Sequence, residues 1–175
     1  MPRIAYAHEG TEAEGAKMVY ANLKAEFSMV PNVVKLLGHS GPATQAMGAV
    51  LDMYFNHLAL DARIREIAYL TVARFNECPY CIGHHTMFAQ KAGLSEVEIA
   101  LLGEAGLNSP QFTKDEQAVI RFALETTKNV RASDEAISVL QEAFTLPQIA
   151  EIAFVVAAGN FIQRIGKNFD AELEM

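Results

Sequence analysis

Apolar residues recur at helical spacing along nearly the whole chain. Between Asp61 and Phe75 the stripe of an amphipathic helix is complete, with the i, i+3, i+4, i+7 spacing that one helical face requires. The segment from Pro42 to His57 shows the same periodicity. No segment alternates apolar and polar residues, and no Asn-Gly or Asp-Gly pair suggests a hairpin. The pattern predicts an all-α fold of about eight or nine helices.

Residue types that start and stop helices divide this pattern into elements. Ser or Thr followed three residues later by Glu is a capping box, which satisfies backbone N–H groups in the first helical turn. The chain has three such boxes, at Thr11/Glu14, Ser95/Glu98 and Thr113/Glu116. The first predicts a helix from about Thr11 to Phe27. Pro31 and Pro42 fit first turns, and Gly93 and Gly106 fall where helices are expected to stop.

The stretch beginning at Glu66 is similar to the stretch beginning at Glu151, which lies 85 residues later. Two Ala-rich core helices can resemble each other by chance, and an ancient duplication is the alternative. We predict a single domain over 1–175, with a redox-active half at about 31–106 and a degenerate half at about 107–175. If the two stretches are copies, the second half has lost the chemistry, since Gln163, Gly166 and Asp170 stand where Cys78, Cys81 and His85 would be.

Composition and charge exclude several classes of protein. The 175 residues include 14 Lys+Arg and 21 Asp+Glu, a net charge of −7 without a basic run, which argues against nucleic-acid binding. With 51% hydrophobic and 20% charged residues the chain is too apolar to be disordered. The longest apolar run, near 152–159, is too short to span a membrane, and no secretion signal is evident. We therefore expect a cytoplasmic protein.

The chain has two cysteines, Cys78 and Cys81, and they stand three residues apart. In a reducing compartment such a pair indicates catalysis or metal binding. Cys78 is expected to begin a helix with Pro79 in its first turn, where N–H groups and the helix dipole favour a thiolate. Positions three apart on a helix are roughly 5 Å apart at Cα, within disulfide range, so the pair can close and reopen.

His85 lies four residues after Cys81, on the same helical face, where an imidazole can accept the thiol proton. Glu66 belongs to the preceding helix. In one straight helix, Glu66 would be about 18 Å from Cys78 and could not contribute. If the chain turns back at Asn76-Glu77, Glu66 lies beside His85 and orients its ring.

Other interpretations of the pair are a zinc site formed with His84 or His85, and two inert buried cysteines. A closed structural zinc site needs four ligands, and the chain has no second Cys-x-x-Cys. His84 is expected at the surface. Tyr80, between the cysteines, is a packing residue or a possible hydroxyl donor to a bound oxygen. Cys-Pro-Tyr-Cys resembles the glutaredoxin active site, but the long helical segment before it does not fit that β-sheet fold.

The combined pattern resembles the alkylhydroperoxidase D-like branch of the carboxymuconolactone decarboxylase family. Its elements are Glu66, Cys78, Cys81, His85 and the Gly93-Leu94-Ser95 turn, and the resemblance extends from roughly Leu58 to Gly103. It implies an all-α fold with duplicated halves, a trimeric or hexameric homo-oligomer, and peroxidase activity. It further implies that Cys81 attacks the peroxide, Cys78 resolves the product, and His85 with Glu66 relays the proton. Tyr80 stands where such enzymes often have a second His.

The expected activity is reduction of an organic hydroperoxide without a bound cofactor or metal, followed by regeneration with an external dithiol. The position at the helix start favours Cys78 as the nucleophile, whereas the register with His85 and the resemblance favour Cys81, which we adopt. Three alternatives stay open: a disulfide reductase without peroxidase activity, a cofactor-free decarboxylase and a zinc-binding oligomer.

Overall fold

The computed structural model describes residues 1–174. Over these residues the chain forms nine α-helices and no β-strand, which confirms the prediction of an all-α fold. The helices are α1 (Lys17–Phe27), α2 (Asn32–Leu37), α3 (Gly41–Asp52), α4 (Ala62–Phe75), α5 (Pro79–Lys91), α6 (Glu96–Leu101), α7 (Lys114–Asn129), α8 (Asp134–Ala143) and α9 (Leu146–Asn168).

The chain divides into two compact units. The first contains Met1–Leu58 together with the residues from Arg164 onward, and the second contains Ala59–Gln163. Both cysteines, His85 and Glu66 belong to the second unit. The division of the chain into duplicated halves stays a prediction.

The first unit contains α1, α2 and α3, and a π-helix at Met53–His57 directly continues α3. This π-helix was not predicted, since its apolar spacing differs little from that of an α-helix. The core of this unit is formed by large side chains with almost no exposed surface: Tyr20, Leu23, Val33, Val34, Leu36, Met47 and Tyr54.

The prediction of a capping box at Thr11 is wrong. The Thr11 hydroxyl donates to the carbonyl oxygen of His8 at 2.9 Å and so serves the preceding turn. The first helical residues instead form a 3-10 turn, Glu14–Ala16, whose N-cap residue Ala13 provides no side-chain hydrogen bond. The predicted end at Phe27 is confirmed.

Helix α4 is the central element of the second unit. It packs against α5 and α7, and its residues from Glu66 to Ala73 are all buried. The sequence predicted an amphipathic helix, but this half of α4 has no solvent-exposed face. The local sequence Ile-Ala-Tyr-Leu-Thr-Val-Ala is apolar on every side and is typical of a helix surrounded by others.

The two other predicted capping boxes are confirmed, at the starts of α6 and α7. Arg63, in the first turn of α4, joins them. Its Nε donates to Glu116 at 2.6 Å, and its Nη2 donates to Glu98. The same two glutamates therefore cap their own helices and hold both helices against the start of α4.

Helix α9 is long and apolar enough, by length and composition, to cross a membrane, and no other helix within residues 1–174 is. Its most apolar 18-residue window has a mean hydropathy of 1.3, and 44% of that window is buried inside the protein. The core helix of a globular protein meets the same criteria, so α9 alone is weak support for a membrane protein.

We predict that Arg63→Met lowers the free energy of unfolding by about 2–3 kcal/mol, because two nearly buried carboxylates lose their charged hydrogen-bond donor. Denaturant titration at pH 7 measures this change. Arg121→Met removes an exposed pair with Glu135 and is the matched control, with an expected cost below about 1 kcal/mol. Equal costs for the two variants would contradict the assigned role of Arg63.

The same cluster predicts a pH dependence. Partial burial opposes ionisation, but hydrogen bonds from Arg63 and Ser95 outweigh it and lower the pKa of Glu98 from 4.5 to about 2. A lowered folded-state pKa stabilises the protein above the unfolded value, and this contribution is lost as the pH falls from 4.5 towards 2. The difference in stability between wild type and Arg63→Met should therefore shrink over that pH range.

Candidate active site

A sharp reversal between α4 and α5 places Cys78 at the start of a helix. Asn76 caps the end of α4, and Glu77 adopts a left-handed conformation with φ 51°. The Cys78 amide then donates to the carbonyl oxygen of Ala73 at 3.0 Å. Cys78 is the N-cap residue of α5 and Pro79 its first helical residue, as the sequence predicted.

Helices α4 and α5 run antiparallel. At one end of the pair the Cys78–Ala73 hydrogen bond closes the turn, and at the other end Arg63 Nη1 donates to the carbonyl oxygen of Gly93 at 3.0 Å. Gly93 itself has φ +88°, which favours glycine, and it follows the end of α5 where the sequence predicted a stop.

This register brings Glu66 of α4 against His85 of α5. The Nδ1 atom of His85 lies 2.8 Å from Oε2 of Glu66. Glu66 is completely buried, and His85 is 7% exposed. A carboxylate hydrogen-bonded to one ring nitrogen fixes the tautomer and orientation of the imidazole, so that Nε2 becomes the nitrogen able to exchange a proton.

Both thiols are reduced and buried, with exposures of 1% for Cys78 and 2% for Cys81. A hydrogen bond between the two thiols, burial and the charge on Cys78 all raise the pKa of Cys81, and a hydrogen bond with the Tyr69 side chain opposes them. The expectation of a helix-stabilised thiolate concerned Cys78. The pKa of Cys81 is raised instead, which disfavours a thiolate, because the neighbouring Cys78 sulfur and burial dominate at its position.

Tyr69 is a residue of the site that sequence analysis missed. Its ring stacks on the His85 imidazole with 3.5 Å between ring centroids and 17° between planes, and its side chain acts to lower the pKa of Cys81. Tyr69 is 2% exposed. The available signal was its position three residues after Glu66, which places both on one face of α4.

Tyr80 and His84 both lie in the first two turns of α5 and contact each other. The Tyr80 ring is almost buried and packs edge-on against His84, with ring centroids 4.7 Å apart. His84 is partly exposed. Phe88 packs edge-on against His85 at 5.5 Å, so aromatic rings from both helices surround the imidazole.

Behind the reversal lies a chain of polar side chains. Asn76 Nδ2 donates to Gln163 Oε1 at 2.8 Å and to Asn160 Oδ1 at 3.2 Å. Asn160 Nδ2 in turn donates to the hydroxyl of Thr127 at 3.1 Å. These bonds connect the end of α4 to α9 and α7. They fix the position of Asn76, which precedes the strained Glu77.

A shallow surface cavity of about 490 Å³ adjoins the reversal. It is lined by Arg74, Glu77, Pro79, Ile82 and Gly83. Cys78 lies in sequence between two of these residues, although neither cysteine is among the residues that line the cavity.

Within residues 1–174 no group of three or more His, Cys, Asp or Glu side chains is arranged to hold a metal ion. The zinc interpretation therefore lacks a ligand set in this part of the chain.

Residues 44–109 match the carboxymuconolactone decarboxylase family. A relative is the uncharacterized protein YdfG of Bacillus subtilis, 25% identical over 127 residues, which cover 70% of this chain and 86% of YdfG. A solved structure from Agrobacterium tumefaciens, of unknown function but named for the antioxidant defence protein AhpD, is 26% identical with a TM-score of 0.70. It covers 78% of this chain and 93% of its own.

Two further solved structures share the fold at lower identity. The alkylhydroperoxidase AhpD core of a peroxidase-related protein from Ralstonia eutropha JMP134 has a TM-score of 0.81 at 18% identity, over 99% of this chain and 92% of its own. The debrominase Bmp8 has a TM-score of 0.77 at 16% identity, over 99% and 91%. Proteins named for different reactions therefore have this fold, and the site must indicate the reaction.

We predict that Cys78→Ser lowers the pKa of Cys81, because the largest cause that raises it is the hydrogen bond with the Cys78 side chain. The measurement is the rate of Cys81 alkylation by iodoacetamide against pH, followed by intact mass. The midpoint should move to lower pH than that of Cys81 in the reduced wild type. An unchanged or higher midpoint would show that the Cys78 sulfur does not raise the pKa of Cys81.

Proposed function

We propose that the chain belongs to the alkylhydroperoxidase D-like branch of the carboxymuconolactone decarboxylase family, whose model matches residues 44–109, and that it is a thiol-dependent peroxidase that reduces organic hydroperoxides. The observation that carries the proposal is the buried Glu66–His85 hydrogen bond in register with the Cys78–Cys81 pair. A neutral buried thiol needs a base to become a nucleophile, and an imidazole oriented by a carboxylate is such a base.

In the first step His85 accepts the Cys81 proton and the thiolate attacks the distal oxygen of the hydroperoxide. The O–O bond breaks, and the leaving alkoxide takes the proton from the imidazolium to become an alcohol. Cys81 is thereby oxidised to a sulfenic acid, and the peroxide is reduced by two electrons. Glu66 stabilises the imidazolium between these two proton transfers.

In the second step the Cys78 sulfur attacks the sulfenic sulfur of Cys81. A disulfide forms and water leaves, with the Cys78 proton transferred to the departing hydroxide. An external dithiol then reduces the disulfide by exchange, which regenerates both thiols and leaves the reductant oxidised. Cys78 at the N-cap and Cys81 in the first turn of α5 are one turn apart, which suits a disulfide with little rearrangement.

Hydroperoxide and dithiol reach the sulfurs from the cavity beside Cys78. Because both thiols are buried, access requires movement of the first turn of α5 or of the preceding turn. Glu77, in the left-handed region, is the strained residue of that turn.

A disulfide reductase would use the same residues and is the main competing function. The two differ in their oxidant, since the peroxidase consumes hydroperoxide in proportion to the dithiol oxidised. Cofactor-free decarboxylation differs again, because that reaction has no use for the cysteines.

We also propose that the chain assembles into a homo-oligomer. Several large apolar side chains of the second unit are exposed: Phe75, Met87, Val97, Val130, Leu146 and Phe161. Apolar surface of this kind is covered in protein–protein interfaces, and closed symmetric oligomers are the common arrangement.

Steady-state turnover of cumene hydroperoxide with dithiothreitol tests the reaction. We expect that Cys81→Ser abolishes turnover and that His85→Gln slows it by about 10²–10⁴-fold, since it removes the general base. The His85→Gln rate should recover partly at high pH, where hydroxide replaces the imidazole. His84→Gln changes the neighbouring, partly exposed histidine and should retain the wild-type rate.

No loss of hydroperoxide from a protein with intact thiols, together with faster reduction of an added disulfide by the dithiol, would identify a disulfide reductase instead. Full turnover by Cys81→Ser would exclude both thiol mechanisms and favour a reaction in which the cysteines are dispensable.

Sedimentation velocity at micromolar concentration tests assembly. We expect a species heavier than the monomer, and trimers or hexamers satisfy the proposal. Asp in place of two exposed apolar residues, Met87→Asp with Val97→Asp, should shift the distribution towards monomer. A wild-type protein that sediments only as a monomer would contradict the proposal.

A further inference from the structure

We propose that the thiol pair is held closed by positioning residues of α9, which act through the reversal between α4 and α5. The residues are Asn160 and Gln163, and they act through Asn76; the three side chains form the Asn76 cluster. Opening of the cluster exposes Cys78 and Cys81 to solvent. The effect on hydroperoxide turnover rests on the proposed function, whereas thiol exposure is a property of the reduced protein that is measured without peroxide.

The first argument concerns the reversal itself. Three residues, 76–78, link α4 to α5, and their backbone N–H groups bond carbonyl oxygens in the last turn of α4. Glu77 lies in the left-handed region, with φ 51°, which is unfavourable for a residue other than glycine. A turn that contains a strained residue persists when surrounding contacts hold it. The Asn76 side chain supplies such contacts.

The second argument is that these contacts come from a long helix with fixed side chains. Asn160 and Gln163 are three residues apart and share one face of α9. Both accept a hydrogen bond from Asn76 Nδ2, at 3.2 and 2.8 Å respectively. Asn160 Nδ2 donates to the Thr127 hydroxyl at 3.1 Å and to the Val156 carbonyl oxygen at 3.0 Å, which orients its amide so that Oδ1 faces Asn76. The position of the reversal is therefore set by α9 and α7 as well as by α4.

The third argument is that the cluster is closed but incomplete. Gln163 is 1% exposed, and its Nε2 is a buried donor that has no hydrogen-bond partner within residues 1–174. An unpaired buried donor is costly, and water that enters an open reversal can pair with it. The closed state therefore lacks one hydrogen bond, which lowers the cost of opening. Both thiols are almost completely buried, so a reagent reaches them only after such an opening.

A network with a merely structural role would lower the stability of the whole unit when broken, and the cysteines would be exposed by its unfolding. The Asn76 cluster instead predicts a local opening. The two routes differ in their response to urea. Global unfolding exposes much surface and becomes steeply more frequent as urea is added, whereas a local opening exposes little surface and responds weakly.

The experiment treats the full-length reduced protein with excess iodoacetamide, at urea concentrations below the unfolding transition, and follows labelling of Cys78 and Cys81 by mass spectrometry. Gln163→Met and Asn160→Leu each remove one acceptor for Asn76. We expect each variant to speed labelling about fivefold, the factor that corresponds to the loss of one hydrogen bond. The acceleration should be present without urea and should change little when urea is added.

Backbone amide exchange measures the same opening without the thiols. The Cys78 amide donates to the carbonyl oxygen of Ala73, so the segment 76–82 should exchange faster by the same factor in both variants. This measurement does not depend on the ionisation of either sulfur.

Gln117→Met is the matched control, because it makes the same substitution in α7 of the same unit. Gln117 Nε2 donates to the carbonyl oxygens of Ser109 at 2.9 Å and Phe112 at 3.1 Å, so this variant loses two hydrogen bonds. Its neighbour Glu116 bonds Arg63 in the first turn of α4, which places the control at the end of α4 opposite the reversal. Labelling of Gln117→Met without urea should match the wild type.

Wild-type rates in both variants of the cluster, or an acceleration equal to that of Gln117→Met, would overturn the proposal. An acceleration that appears only with urea would also overturn it. If Asn160→Leu does not fold, Gln163→Met decides alone, because it removes an unpaired buried donor and leaves the bond between Asn160 and Thr127 in place.

The two proposals fail separately. A wild-type protein that consumes no hydroperoxide, together with faster labelling in the variants, would remove the proposed function and leave the Asn76 cluster as the contact that closes the thiol site. Hydroperoxide turnover together with unchanged labelling would do the opposite.

Discussion

The hydrogen bond between the buried Glu66 carboxylate and the His85 imidazole is the interaction on which the arrangement of the second unit depends. A carboxylate without solvent contact is very costly unless it is paired. His85 provides the direct partner, and the guanidinium of Arg65 lies 3.6 Å from the other oxygen. A one-residue slip of α4 against α5 would separate this pair inside the core, so the cost of a buried charge selects a single register.

The reversal at Asn76–Cys78 makes that register possible, and the apparent repeat shows why it matters. The stretch beginning at Glu151, which is similar to the one beginning at Glu66, continues without interruption as α9 from Leu146 to Asn168. In a continuous helix, an acid and a histidine 19 residues apart are separated by several turns and cannot meet. The pairing of the acid with the histidine therefore requires the interruption between α4 and α5 as well as the two residues.

Several features of the site were predictable because they depend on local spacing. Cys78 as N-cap, Pro79 in the first turn and His85 one turn beyond Cys81 follow from the helical repeat. Glu66 was predicted to lie beside His85 on the condition that the chain turns back at Asn76-Glu77. Thr11 was misassigned because a hydroxyl that fits a capping box also fits a turn, and the sequence does not say which acceptor is nearer. The raised pKa of Cys81 could not be predicted from the sequence either, because it depends on burial and on the nearby Cys78 sulfur, whose position is set by the fold.

The sequence alone determined that the chain is helical, where most helices begin and end, and that two thiols and an imidazole share one helical face. These properties follow from backbone geometry and hydrogen bonding within a few residues. The tertiary structure decided which residues of α4 meet that face. It brought Glu66 to His85 and stacked Tyr69 on the imidazole, because contacts between helices depend on how whole surfaces pack and on which buried charges find partners.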